Sequence, residues 1–211
     1  MSVDAIGVLR EPVRRAIYEY AVGRGEPVGR DEVASALGLG RTLAAFHLDR
    51  LADAGLLEVS YARRSGRAGP GAGRPAKLYR RSAAEIEVSL PPRRYLAAAE
   101  LLAEVIEHAG VDEQAFHTAR TQSRAAGRAA GGVDLIAALT SQGYEPQRRA
   151  GSIVLRNCPF HALARDYPPL ICGMNLASLQ GLVEGLGEPD AVPRMDPDSG
   201  RCCVVIDTGS G

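Results

Sequence analysis

The chain has 211 residues, 45% of them apolar, with 25 Lys plus Arg against 25 Asp plus Glu and no Trp, the balance of an ordinary globular protein. This excludes general disorder, a collagen-like repeat and a disulfide scaffold, and the length allows two domains of about 100 residues each. No run approaches the roughly 18 consecutive apolar residues of a membrane span, and Asp4 and Arg10 stand where a signal peptide needs an apolar stretch, so a cytoplasmic protein is expected.

The zero net charge hides an asymmetry. Residues 1–90 hold 14 basic and 11 acidic side chains and residues 91–211 hold 11 and 14. In chain order, Glu11-Pro12 opens a helix whose Val13, Ile17, Tyr20 and Ala21 share one face, Pro suiting a first helical turn. A second helix follows from Asp31 through Leu37 and ends at Gly38 and Gly40, glycine being the residue that terminates helices most readily. Residues 41–54 repeat Ala44, Leu48 and Leu51 at helical spacing and meet Gly55. Leu56 to Ser60 and Ala76 to Arg80 then read as paired strands. Three helices and a β-hairpin predict a winged helix-turn-helix over residues 1–90.

Residues 61–81 carry Arg63, Arg64, Arg67, Arg74, Lys77, Arg80 and Arg81 with no Asp or Glu, a positive field that suits a polyanion. The alternative is a solvated basic loop, rich in Gly and Pro. With Ala44, Leu48 and Leu51 inward, the third helix presents Arg41, Thr42, Ala45, Phe46, Asp49 and Arg50 outward. Arg41 suits a guanine edge, and Thr42, Ala45 or Phe46 a thymine methyl. Arg50 completes this face; Arg63, Arg64, Arg67, Arg74 and Lys77 are phosphate or minor-groove candidates. Phe46 is equally explained by packing against the wing or a partner subunit. His47, at the edge of the inward stripe, reads as a packed histidine rather than a ligand.

The run Val33 to Gly40, then Arg41 to Leu51, then Ala52 to Leu57 resembles the ArsR-type winged-helix regulators over about residues 8–82, and Gly73-Arg-Pro-Ala-Lys-Leu-Tyr79 resembles the wing of the branch that includes the iron-sulfur SUF repressor. The resemblance implies a cytoplasmic transcriptional regulator, a repressor by kind, that binds double-stranded DNA. A single module has a small footprint, so a homodimer on a palindromic operator is expected.

Pro91-Pro92 breaks the chain, and Tyr95 to Ala109 repeats apolar residues at Tyr95, Ala98, Leu102, Val105, Ile106 and Ala109, an amphipathic helix. A second helix from Asp112 to about Ala129 is acidic at its start and Arg-rich at its end, with a weak apolar face. Residues 91–130 are read as linker and dimerisation helices, internal packing being the alternative.

Gly131-Gly132 opens the last region, residues 131–211, expected as a small α+β sensor domain. It comprises a helix over 133–141, a hairpin of 144–147 with 152–157, a short helix after Cys158-Pro-Phe-His161, a longer helix from Pro168 to about Leu186, and a final strand beginning at Cys202-Cys203. Overall this is a helix-rich α+β chain. Thiolates are soft ligands for zinc or iron-sulfur clusters and imidazole is compatible, so Cys158, His161, Cys172, Cys202 and Cys203 are candidate metal ligands. His161 would share a face with Cys158 if both were helical. Adjacent cysteines on a strand point to opposite faces, so one of Cys202 and Cys203 is expected at the site. Burial in the core is the competing explanation, above all for Cys172 and one of the pair.

Asn157-Cys-Pro-Phe, a Cys after a Pro-rich turn, and a Cys after Gly200 resemble the C-terminal half of the same branch. There the resemblance implies an iron-sulfur cluster held by four cysteines. Cys158 and Cys172 match the first two and Cys202 or Cys203 the last; where the third belongs, this chain has Gly185-Leu-Gly187. His161 or the extra thiol as substitute ligand, zinc in place of a cluster, a thiol redox switch and an apolar effector pocket all remain open, as does a purely structural zinc site. An enzyme is the weakest reading, since no dinucleotide or P-loop fingerprint sits between a strand and a helix.

Overall fold

A computed structural model describes residues 2–62, 75–84, 86, 88–89, 91–198 and 200–209. Arg63, Arg64, Arg67 and Arg74 lie outside the described residues. The chain is α+β with two small antiparallel sheets and divides into two compact units, residues 1–93 and 94–211. Among the described residues no helix is long and apolar enough to cross a membrane.

The first unit contains α1 (Ser2–Gly7), a 3-10 turn (Val8–Arg10), α2 (Pro12–Arg24), β1 (Val28–Gly29), α3 (Arg30–Leu37), α4 (Arg41–Asp53), β2 (Leu57–Ala62) and β3 (Ala76–Arg81). Helix α2 starts where Glu11 precedes Pro12: the Glu11 carboxylate accepts from the Val13 and Arg14 backbone N–H groups at 3.1 and 2.6 Å, satisfying donors that a helix start leaves unpaired. Gly38 at φ 64° stops α3, a left-handed conformation that costs glycine little. Ile17 of α2, Val33 of α3 and Ala44, Leu48 and Leu51 of α4 form the core with Val28 and Tyr79. Strand β3 is central, pairing with β2 from Leu57↔Arg81 to Ala62↔Ala76 and with β1 at Val28↔Tyr79. The two-residue strand β1 and helix α1 were not legible as elements in the sequence.

The second unit contains α5 (Tyr95–Ala109), α6 (Asp112–Ala129), α7 (Leu135–Ser141), β4 (Pro146–Arg149), β5 (Ser152–Leu155), α8 (His161–Asp166), α9 (Pro168–Leu186), β6 (Ala191–Met195) and β7 (Val204–Thr208). Helices α5 and α6, the expected linker, thus fall in the same unit as the C-terminal sheet. The sheet order is β4-β5-β7-β6. Leu139, Ile153, Leu155, Leu179, Leu182, Val204 and Ile206 form its core. Two corrections to the sequence reading follow from the register. Strand β6 is an extra strand; its Pro193 sits opposite Ile206 on a sheet edge, the place where a missing N–H is tolerated. The last strand begins at Val204 rather than at the cysteine pair.

Candidate functional site

On the first unit, α4 turns Ala44, His47, Leu48 and Leu51 inward. Arg41, Thr42, Leu43, Phe46 and Arg50 are exposed, and Ala45 and Asp49 are half-buried. The expected DNA-facing row of α4 is therefore on the surface. Phe46 is 52% exposed and meets the His47 ring edge-on at 5.2 Å between centroids. His47 is buried, as its place on the core stripe indicates; Arg14 Nε donates to its Nδ1 at 3.3 Å. Burial lowers its proton affinity, Glu11 opposes that and Arg14 reinforces it, so the imidazole is held below its ordinary value.

Strand β3 is tied to α4 at one carboxylate. Lys77 Nζ and the Tyr79 hydroxyl both donate to Asp49 Oδ1, at 2.6 and 2.7 Å. Desolvation pushes Asp49 up, but these two bonds and the Lys77 charge outweigh it and leave the carboxyl below its usual range. Arg41, at the start of α4, pairs with Asp31 of α3 at 2.6 Å. Of the expected basic contacts, Arg50 has an exposed side chain, while Lys77 and Arg41 carry local carboxylate partners that a phosphate would have to displace.

The second unit brings Cys158, Cys202 and Cys203 to one core cluster. Asn157 locks the turn that precedes Cys158: its Oδ1 accepts from the Glu145 N–H at 2.6 Å and its Nδ2 donates to the Gly143 carbonyl at 2.8 Å. Cys172 rides on α9, near its start. The Cys202 N–H donates to the Leu155 carbonyl at 2.9 Å, which sets Cys202 beside the end of β5. Cys158 and Cys203 pack against the core cluster that contains Cys202. Cys202 belongs to that cluster and Cys203 packs against it, although a strand would alternate them. They lie on the bend before β7, where the pleat does not operate.

Cys202 is the centre of this group. It is 1% exposed, and its sulfur accepts from Asn175 Nδ2 at 3.2 Å and from the Val204 N–H at 3.5 Å. Hydrogen bonds from the Cys158 and Cys203 thiols, helped by those two N–H donors, overcome burial and hold Cys202 well below the usual thiol range. Cys158 and Cys203 are pushed up, first by donating to Cys202 and then by burial. The Cys202 sulfur is thus surrounded by protein donors that favour its thiolate form.

Asn175 and Tyr144 were missed by the sequence reading. Asn175 is fully buried; its Oδ1 accepts from the Tyr144 hydroxyl at 2.5 Å, which directs the amide N–H at sulfur. Burial and the neighbouring thiols keep Tyr144 protonated. An amide in line with Ile171, Leu179 and Leu182 on the inward face of α9 was the available signal, because a buried polar group needs partners.

His161 is exposed at the first residue of α8, and Cys158 precedes that helix. The shared helical face expected for the two does not exist. Among the described residues no group of three or more His, Cys, Asp or Glu side chains is disposed to hold a metal ion. The four thiols have the donor chemistry for zinc or an iron-sulfur cluster, but they do not form such a group here. Comparison with known proteins adds no assignment: no family model, no curated protein and no solved structure matches the chain.

Proposed function

We propose that the chain is a dimeric DNA-binding transcriptional regulator whose first unit is a winged helix-turn-helix and whose second unit senses thiol state. The observation that carries the DNA half is the exposed row Arg41, Thr42, Phe46 and Arg50 on α4, beside a β2–β3 pair anchored to the same helix through Asp49. A helix with a free face next to an antiparallel strand pair is the combination that enters a major groove and braces on the adjacent backbone. The direct test is selection from a random double-stranded pool at low salt, followed by fluorescence anisotropy on the winner. Binding that weakens steeply with salt, and weakens again in Arg50→Ala, supports the reading. Recovery of no enriched sequence would end it.

The dimer rests on α5, whose Leu101, Leu102 and Val105 are exposed. The sensing half rests on the buried Cys202 sulfur, held by Asn175 and the Val204 N–H, with Cys158 and Cys203 packed against the same core cluster. A zinc or iron-sulfur reading keeps one observation in its favour, the soft donor set. Elemental analysis and an absorption spectrum of protein purified without oxygen separate it from the thiol reading.

A further inference from the structure

The outward face of α4 carries one residue that the DNA reading leaves without a role. Asp49 lies two turns on from Thr42 and one turn on from Ala45, away from the inward stripe of Ala44, Leu48 and Leu51, so it belongs to the row that a major groove would meet. A bare carboxylate there would repel the phosphates on either side. This one is compensated. Lys77 Nζ and the Tyr79 hydroxyl reach it from β3 at 2.6 and 2.7 Å, and Tyr79 is itself held in the core of the unit. Both bonds fall on Oδ1, so among the described residues Oδ2 keeps its acceptor capacity, and the side chain is 48% exposed.

The chemistry of that oxygen selects a base. Desolvation pushes the Asp49 carboxyl up, but the Lys77 and Tyr79 bonds outweigh it, so at neutral pH the group accepts hydrogen bonds and donates none. In the major groove guanine shows only the N7 and O6 acceptors, and thymine shows the O4 acceptor and a methyl group. Both repel a carboxylate oxygen. Adenine sets its N6 amine beside the N7 acceptor, a pair that suits an amide, which donates as well as accepts. Cytosine offers the N4 amine and no acceptor of its own in that groove.

We propose that Asp49 is a specificity-determining residue: with Oδ1 held by Lys77 and Tyr79, its Oδ2 accepts from the N4 amine of a cytosine and fixes a C·G pair at one position of the bound site. This rests on the DNA-binding reading of the first unit and is independent of the thiol reading of the second. The two bonds from β3 set the side chain before DNA arrives, so little rotamer freedom is lost on contact. They also let a residue of the wrong charge enter the groove, because Lys77 accompanies it.

The test takes the full chain through selection from a random double-stranded pool, as wild type, Asp49→Ala and Asp49→Asn. Anisotropy titrations then use the wild-type winner and duplexes changed one base pair at a time. Wild type is expected to require C·G at one position, with replacement weakening binding about tenfold or more. Asp49→Ala should lose that requirement and keep the preferences at other positions. Asp49→Asn keeps an acceptor for Lys77 and Tyr79, serves where Asp49→Ala does not fold, and should move the preference to A·T, since an amide pairs with adenine N6 and N7. Tyr79→Phe removes one anchor and keeps the carboxylate, so it should retain the C·G preference. The same preferences in wild type and Asp49→Asn overturn the assignment while DNA binding stands. So does a change in affinity that is equal on every duplex, which makes Asp49 an anchor of β3 alone, and so does loss of the C·G preference in Tyr79→Phe. Failure of wild type to enrich any sequence removes the DNA reading itself and the assignment with it.

Discussion

Asn175 is one of the donors that hold the buried sulfur of Cys202. Its amide bridges the Tyr144 hydroxyl and the sulfur, so replacing it removes a donor from the thiolate and strands a buried phenol. Asn175→Leu should cost about 1–3 kcal/mol, the usual penalty for a buried polar group left unpaired. It should also move the pH midpoint of Cys202 alkylation upward. Urea unfolding checks the first and alkylation rate against pH the second; adding Tyr144→Phe should recover stability without restoring the midpoint. His47 sets a second dependence, in the first unit. Burial depresses its folded value below the unfolded value of about 6.5, so the unfolded chain binds more protons in that window. Stability is therefore full above about pH 6.5 and falls as the pH drops below it. Urea midpoints between pH 5 and 7.5 should slope upward with pH, and His47→Gln should flatten the slope. An unchanged slope would assign it to other groups.

Helices α6 and α9 cross with backbone against backbone. A Cβ at Gly181 would come within 2.1 Å of the Arg120 carbonyl oxygen, and one at Gly185 within 2.3 Å of the Arg124 carbonyl oxygen. Neither contact has a flexible side chain to give way. Gly181→Ala should therefore destabilise by about 1–3 kcal/mol, as overpacking does, against its better helix propensity. Gly23→Ala on α2, with nothing within 4 Å of the added carbon, should be neutral or stabilising by up to about 1 kcal/mol. Thermal unfolding of the two variants is the comparison. This crossing also explains what sequence reading could and could not reach at this scale. Helix α4 was legible because Ala44, Leu48 and Leu51 repeat with bulky contrast. The partner face of α6 looked weak because its contact is made through glycines. The spacing Gly173, Ala177, Gly181, Gly185 on α9 was the sign of it. The packing of both Cys202 and Cys203 at one core cluster was not legible, since it depends on the strand starting at Val204, two residues later than the apolar run suggests. Strand β6 was hidden by Pro193, which reads as a breaker until its place on an edge is known.

At the scale of the whole molecule, the dimeric half of the proposed reading rests on α5. This helix is apolar on two sides: Ala103 and Ile106 pack inward with Leu170, Ile171 and Phe116, while Leu101, Leu102 and Val105 are 65%, 64% and 62% exposed. Burying each of these outer side chains is worth about 1.5–3 kcal/mol, a gain that monomers leave unused only in small patches. A second copy of α5 is the partner required if two winged helices are to hold two half-sites. Leu101→Glu with Val105→Glu should convert a dimer to a monomer in light scattering while leaving circular dichroism unchanged, because neither side chain is part of the inner cluster. The same variant should lose most of its affinity for a two-half-site duplex and little for a single half-site, since only the former gains from linked binding. Equal losses on both duplexes would mean that α5 supports the DNA-binding fold itself. A wild-type chain that scatters as a monomer at every concentration would remove the two-fold operator from the proposal and leave α5 free for a different partner.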